Sequence, residues 1–247
     1  MEILMKKKIA YLTIDDAPSN NFDLILKYLS DNKIPAIFFC EGRKIVKRPE
    51  KVIKAIKNGF IIGNHSYDHP NFSEISIKEA ESQITETDKL IESIYIESGI
   101  EKPIKVFRFP FMNIGSKNGY LNFDWNNEHV ANIQTILRKL GYKQMNFENI
   151  NYSWFIKAGL DKCLNVDCTY DSFDWCLDED NSMFGYHDLP SVLSRIDEDI
   201  PDGGRGLNNP SLNEIIEMHS WIPIEAFIAI IEKIKSKNIE FKLPECY

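Results

Sequence analysis

Apolar positions along the chain fall into two alternating patterns. Short continuous runs, "IAYLTI" (9–14), "IPAIFFC" (34–40), "FIIG" (60–63) and "IKVFRF" (104–109), have the length and residue types of buried strands. Between them lie stretches with helical spacing: "FDLILKYLSDN" (22–32), "PEKVIKAIKNG" (49–59, opened by Pro49 and closed by Gly59) and a long one over about 76–98. In the long stretch Ser76 and Glu79 form a capping-box pattern, and Ile77, Ala80, Ile84, Ile91 and Ile94 lie near one face. "HVANIQTILRKLG" (129–141) predicts a helix with Val130, Ile133, Leu137 and Leu140 inward and Gly141 past its end. The chain finishes with a strand "NEIIEMH" (213–219), a helix within 223–237 and a strand "IEFKL" (239–243).

Strands buried on both faces and alternating with helices imply a parallel sheet, and the number of units suits an α/β barrel. The chain has 247 residues and no Gly/Ser/Pro-rich linker, so one domain over 1–247 is expected. The stretch 112–170 fits the pattern least. It is rich in Asn and in aromatics (Tyr120, Phe123, Trp125, Phe147, Tyr152, Trp154, Phe155), and part of it is expected to be an insertion. Packing against the barrel is the expected role of these rings, ahead of a sugar-stacking platform.

Composition narrows the function. Hydrophobic residues make up 43% and charged residues 27%, which allows a sizeable core and argues against disorder. The net charge is −8 and no long basic stripe occurs, which disfavours a nucleic-acid partner. Lys6–Lys7–Lys8 is expected at the exposed start of a strand. The apolar run after it is too short for a signal peptide and ends on Asp15–Asp16, and no run has transmembrane length. A cytoplasmic location is therefore expected. The cysteines, Cys40, Cys163, Cys168, Cys176 and Cys246, are odd in number and include no CxxC pair, so free thiols in a reducing compartment are expected. The spacings of Cys163, Cys168 and Cys176 match no common zinc pattern.

In a parallel barrel, function sits on the loops after the strands. The polar residues at those ends are Asp15 and Asp16, His65 and His69, Arg108, Asp171 and Asp174 with Trp175, and His219. His65 and His69, four residues apart in "IIGNHSYDHP", could bring two imidazoles onto one ion or could be unrelated polar residues in a turn. A carboxylate from a neighbouring strand would complete a two-His, one-carboxylate set with open positions, the pattern of a catalytic metal site. Adjacent acids usually face solvent or cap a helix. Asp15 and Asp16 instead end an apolar strand, where two carboxylates repel unless a cation offsets them.

The ordered set "TIDDAPS" (13–19), "HSYDH" (65–69), "RFPF" (108–111), "DSFDW" (171–175) and "EMHSW" (217–221) resembles the five motifs of the polysaccharide deacetylase family, carbohydrate esterase family 4. The spacer over 38–76 and the strand–helix–strand ending resemble the family as well. The resemblance implies a distorted (β/α) barrel, usually of seven units, and a metal-dependent de-N-acetylase acting on an N-acylated amino sugar or glycan. It implies Asp16, His65 and His69 as ligands of a divalent ion, commonly zinc. It implies Asp15 as general base, Arg108 as its orienting partner and the backbone N–H of Phe111 or its neighbour at the oxyanion. His219 would be the general acid, oriented by Asp174, with Asp171 the weaker candidate. His187 in "YHDL" competes for the acid role but follows no apolar strand. His129 falls at a helix start and is expected at the surface.

Four positions depart from the family pattern. Ala17 stands for the usual Gly, Phe111 for Tyr and Ser220 for the frequent Asp. Glu217 stands where the family has a Leu lining the pocket for the acetyl methyl. Strand alternation puts Glu217 on the face of His219, unless a register slip turns it to solvent. Two rival functions remain at this level: an amidohydrolase for a non-sugar amide or cyclic imide, and a non-catalytic glycan-binding protein, which would have lost ligands or base.

Overall fold

The computed structural model describes residues 7–117, 126–178, 182–199, 206–208 and 211–245. Its centre is β1 (Lys8–Ala17), flanked by β2 (Ala36–Cys40) and then β3 (Ile61–Asn64) on one side, and by β5 (Glu214–His219) and then β4 (Tyr170–Asp171) on the other. Every pairing is parallel, and a short last strand, β6 (Ile239–Phe241), also pairs with the start of β1. The ring closes through thin links. Asn64 bridges Phe107, and Phe107 bridges Asn165, whose segment runs directly into β4. The result is a distorted (β/α) barrel.

The expected strand over 104–109 is thus reduced to one bridging residue, Phe107: its neighbours bond Asn64 through the Val106 carbonyl and the Arg108 N–H, and its own carbonyl accepts from Val166 N–H. Closure needs the stretch 165–171, whose strand is only two residues long.

Period-two alternation sorts each strand. Ala10, Leu12 and Ile14 of β1, with Phe38, Ile62, Ile216 and Met218, face outward. They pack on α1 (Phe22–Asp31), α3 (Pro49–Lys57), α4 (Ile77–Ser98) and α8 (Ile224–Lys235). Burying Phe227, Ile230, Ile231 and Ile234 of α8 contributes about 1.5–3 kcal/mol each. Ile9, Tyr11, Ile37, Phe39, Ile61, Val106, Val166 and Ile215 fill the interior instead. Gly63 lies in that interior, where a Cβ would stand 2.6 Å from the Phe39 ring. A third cluster seats Phe107 and Phe109 against α4 and α5 (Glu128–Lys139).

The helices over 22–32, 49–59, 76–98 and 129–141 form within two residues of the expected bounds. Ser76 Oγ accepts from Glu79 N–H, one half of the expected box, and Gly99 ends α4 at φ +72°. Sequence periodicity did not resolve α2 (Gly42–Lys47), α6 (Ser153–Lys157) or α7 (Leu189–Arg195), which are too short to show it. Phe147, Tyr152, Trp154 and Phe155 pack with Ile9, Tyr11 and Ile215 near the starts of β1 and β5, far from the strand ends. Tyr120, Phe123 and Trp125 lie outside the described residues, as does Cys246.

Lys8 departs from expectation. It opens β1, but its side chain is 7% exposed and its ammonium bonds Glu214 at 2.6 Å. Cys40, Cys163, Cys168 and Cys176 are buried, and burial raises the thiols of Cys40 and Cys163 above their ordinary range. Among the described residues no helix is long and apolar enough to cross a membrane.

Candidate active site

Adjacent residues of a regular strand point to opposite faces, so Asp15 and Asp16 should diverge. A bulge prevents this. The β1–β2 register shifts between Ile14 and Ala17, and Asp16 takes a left-handed backbone, φ +63°. Both carboxylates consequently turn to the carboxyl-end mouth. His69 is also left-handed (φ +62°), as is Ser66. Such backbone costs of order 1–3 kcal/mol at each residue and clusters at functional sites.

Asp16, His65 and His69 each offer one ligand atom, all within 4.8 Å of one another. Asp16 Oδ1 lies 3.7 Å from His65 Nε2 and 3.3 Å from His69 Nε2. Asp16 Oδ1 is buried with no hydrogen-bond partner, while Oδ2 accepts from Trp221 Nε1–H at 2.9 Å. His65 Nδ1–H donates to the Arg108 carbonyl at 2.9 Å, which leaves the Nε2 lone pair turned to the trio. Burial pushes the His65 imidazole down to about 4, against Asp15 and Asp16, so it is neutral at ordinary pH. Burial opposes the Asp16 charge, but His219, His65, His69 and Lys44 together hold it below the ordinary carboxylate range. An orphaned carboxylate oxygen between two imidazole nitrogens fits a divalent ion.

Beside the trio, Arg108 spans the barrel interior. Its Nη1–H donates to Asp15 Oδ1 at 3.0 Å and to Thr13 Oγ1 at 2.6 Å, and its Nε–H to the Val166 carbonyl. Arg108 is fully buried and its guanidinium lies 4.6 Å from the Phe39 ring centroid. Asp15 Oδ2 stays open, 3.8 Å from His65 Nε2. Phe111 stands in a tight turn at the same mouth, its exposed ring 4.6 Å from that of His69.

His219 ends β5 in register with Asp15. Its Nδ1 donates to Asp174 Oδ1 at 2.8 Å, and its backbone N–H donates to Asp174 Oδ2 at 2.7 Å. Burial alone would lower the imidazole; Asp174, Asp16 and Glu217 outweigh it and hold it well above the ordinary range. Asp171 is committed elsewhere, accepting from Phe173 N–H and Trp175 Nε1–H. His187 is exposed and bonded to the Gly185 carbonyl. His129 is half-buried, its Nε2 bonded to the Phe72 carbonyl rather than free at the surface. Glu217 points inward, 5% exposed, with Oε1 4.0 Å from His219 Nε2.

Thus Asp15, Asp16, His65, His69, Arg108, Phe111, Asp174 and His219 share one mouth. Sequence reasoning gave no role to Trp221, which braces Asp16, to Thr13, which supports Arg108, or to Lys44, which donates to the Asp16 carbonyl. Thr13 could have been found from its spacing, two residues before Asp15 on the same strand face.

Comparison with known proteins agrees with this geometry. Residues 4–145 match the family model described as polysaccharide deacetylase. A peptidoglycan-N-acetylmuramic acid deacetylase of Bacillus subtilis is 39% identical over 89 residues, covering 36% of this chain and 19% of that protein. A chitooligosaccharide deacetylase of Sinorhizobium fredii is 30% identical over 91 residues, 36% of this chain and 42% of that protein. The chain thus spans less than half the length of these relatives. Among solved structures, a family 4 carbohydrate esterase from Streptomyces lividans in complex with acetate superposes with a TM-score of 0.60 at 20% identity, covering 96% of this chain and 92% of that one. A family 4 pseudoenzyme from Bacillus anthracis superposes at 0.61 and 22% identity, covering 96% and 64%. With the family model matched over more than half of its residues, this chain belongs to the polysaccharide deacetylase family.

Proposed function

We propose that this protein is a metal-dependent hydrolase that removes an N-acyl group from an amino sugar or glycan. The observation that carries this reading is the convergence of a vacant-oxygen Asp–His–His trio with two buried pairs, Asp15–Arg108 and Asp174–His219, at one mouth. Family membership implies a divalent ion, and the two-nitrogen, one-oxygen set suits zinc. Asp16, His65 and His69 would hold it. When bound, such an ion polarises the amide carbonyl and acidifies water toward a pKa of about 7.

The chain's own groups supply the proton transfers. Asp15, fixed by Arg108 through Oδ1, presents Oδ2 to take the proton of the attacking water. The Phe111 backbone N–H would help stabilise the oxyanion. His219 Nε2–H gives its proton to the departing amine, a poor leaving group until protonated. Asp174 holds the ring in the orientation and charge state this requires. The non-catalytic reading predicts a lost ligand or base, and the described site has lost neither.

The test is a panel of N-acetylated chitooligosaccharides, monomeric N-acyl amino sugars, simple amides and cyclic imides, assayed with and without chelator beside elemental analysis of the protein. Sugar turnover that chelation abolishes and zinc restores is expected. Unchanged activity in chelator, or full activity of Asp15→Asn, would remove the mechanism. Turnover of imides alone would move the substrate class.

A further inference from the structure

Glu217 is a buried acidic group facing the barrel interior that the proposed chemistry does not use. On β5 it alternates inward with Ile215 below and His219 above, and it pairs in register with Thr13 as His219 does with Asp15. It therefore lies one interior layer, about 7 Å along the strand, beneath the acid and base. Its Oε2 is buried with no hydrogen-bond partner. Arg108 has a matching vacancy: Nη1 and Nε are engaged, and Nη2 is buried with no partner. The two groups form no ion pair with each other; burial, Asp171 and Asp15 raise the Glu217 carboxyl well above its ordinary range, against Arg108 and His219. A buried acceptor and a buried donor thus stand open in the layer under the reacting centre.

Buried polar atoms are nearly always bonded, so two unpartnered ones beside one site call for a polar partner. With the scissile carbonyl held by the trio and its nitrogen at His219 Nε2, an acyl substituent turned down the barrel would meet Glu217, whose Oε1 lies 4.0 Å from that Nε2. A methyl there would leave both vacancies unfilled. A hydroxyl on the acyl carbon would donate to Glu217 Oε2 and accept from Arg108 Nη2, since a hydroxyl carries one donor and two acceptor positions. We propose that Glu217 forms the floor of the acyl subsite and makes the enzyme select a short hydroxyacyl group, of the glycolyl class, over acetyl; this presupposes the de-N-acylation reading above.

The experiment compares N-formyl, N-acetyl and N-glycolyl glucosamine oligomers by kcat/KM in the wild-type protein, Glu217→Gln and Glu217→Leu. The two hydrogen bonds predict a glycolyl-over-acetyl preference of at least roughly tenfold in the wild type. Glu217→Gln, which keeps an acceptor oxygen, is expected to retain part of that preference, and Glu217→Leu to reverse it. An acetyl or formyl preference in the wild type, or a ratio unmoved in Glu217→Leu, overturns the proposal. Calorimetric binding of glycolate and acetate to the zinc-loaded wild type gives a second readout, independent of turnover and of whether the variants fold. Tighter glycolate binding is expected, and equal binding overturns the subsite. If no N-acyl sugar is turned over while glycolate still binds more tightly, the activity reading fails and the subsite stands.

Discussion

His219 and Asp174 are bonded twice across neighbouring strand ends: ring Nδ1 to Oδ1 at 2.8 Å, backbone N–H to Oδ2 at 2.7 Å. The pair of hydrogen bonds to one carboxylate fixes both the position and the tilt of the imidazole. It also sets the ring's charge, because burial would otherwise favour the neutral form. In Asp174→Asn the carboxylate charge is lost, burial prevails and the imidazole pKa falls. A general acid with a lowered pKa is deprotonated at neutral pH, so the alkaline limb of the kcat–pH profile should move to lower pH. At pH 7 kcat should fall by roughly 10²–10⁴, the usual contribution of a positioned acid, with partial recovery on acidification. A uniform loss at every pH would assign Asp174 to geometry alone.

Arg108 bonds Asp15 at 3.0 Å, and both are buried. Arg108→Met fills much of the same volume but leaves a carboxylate buried without its partner. Breaking such a pair costs about 3–5 kcal/mol. Urea denaturation should show a loss of that size, and Arg108→Lys a smaller one, since lysine cannot reach Asp15, Thr13 and the Val166 carbonyl at once. A loss under about 1 kcal/mol would mean that water takes over the arginine's bonds.

Much of this arrangement was legible in the sequence because it rests on periodicity. The runs at 9–14, 34–40, 60–63 and 213–219 are strands, and three of them lead into a side chain of the mouth: Asp15, His65 and His219. The features that escaped are those set by tertiary contacts. Nothing in "TIDDAPS" announces that Asp16 adopts φ +63°, yet without that bulge the adjacent carboxylates would face opposite ways. The closing segment 165–171 is held by one bridge and a two-residue strand, too short for any periodic signal. Lys8 reads as one of three surface lysines. Its burial depends on Glu214, which is 206 residues away and becomes its neighbour only when β5 pairs with β1.

Gly63 tests how tightly the interior beneath the mouth is filled. A Cβ there meets the Phe39 ring at 2.6 Å and Val106 Cγ2 at 3.0 Å, and both neighbours are themselves buried. Gly63→Ala should therefore destabilise by about 1–3 kcal/mol through overpacking, despite alanine's better strand entropy. The displaced Phe39 ring supports Arg108 from below. Activity should consequently fall along with the thermal midpoint. An unchanged midpoint would show that the ring can move aside at little cost.

Trp221 offers a test of the metal site that leaves every ligand residue in place. Its Nε1–H donates to Asp16 Oδ2, which leaves Oδ1 as the oxygen aimed between His65 and His69. In Trp221→Phe the ring is conserved in part and the donor is lost, so the carboxylate is free to rotate out of the trio. Partners that orient a ligand in this way are typically worth 10–100-fold in metal affinity. Competition with a chromophoric chelator should show zinc binding weakened by about that factor. The indole is only partly buried, at the edge of the main core, and phenylalanine keeps much of that contact, so the thermal midpoint of the metal-free protein should move little. His69→Ala, which removes a ligand outright, should weaken zinc further than Trp221→Phe. Equal affinities of wild type and Trp221→Phe would mean that the left-handed backbone at Asp16 positions the carboxylate without help from the indole.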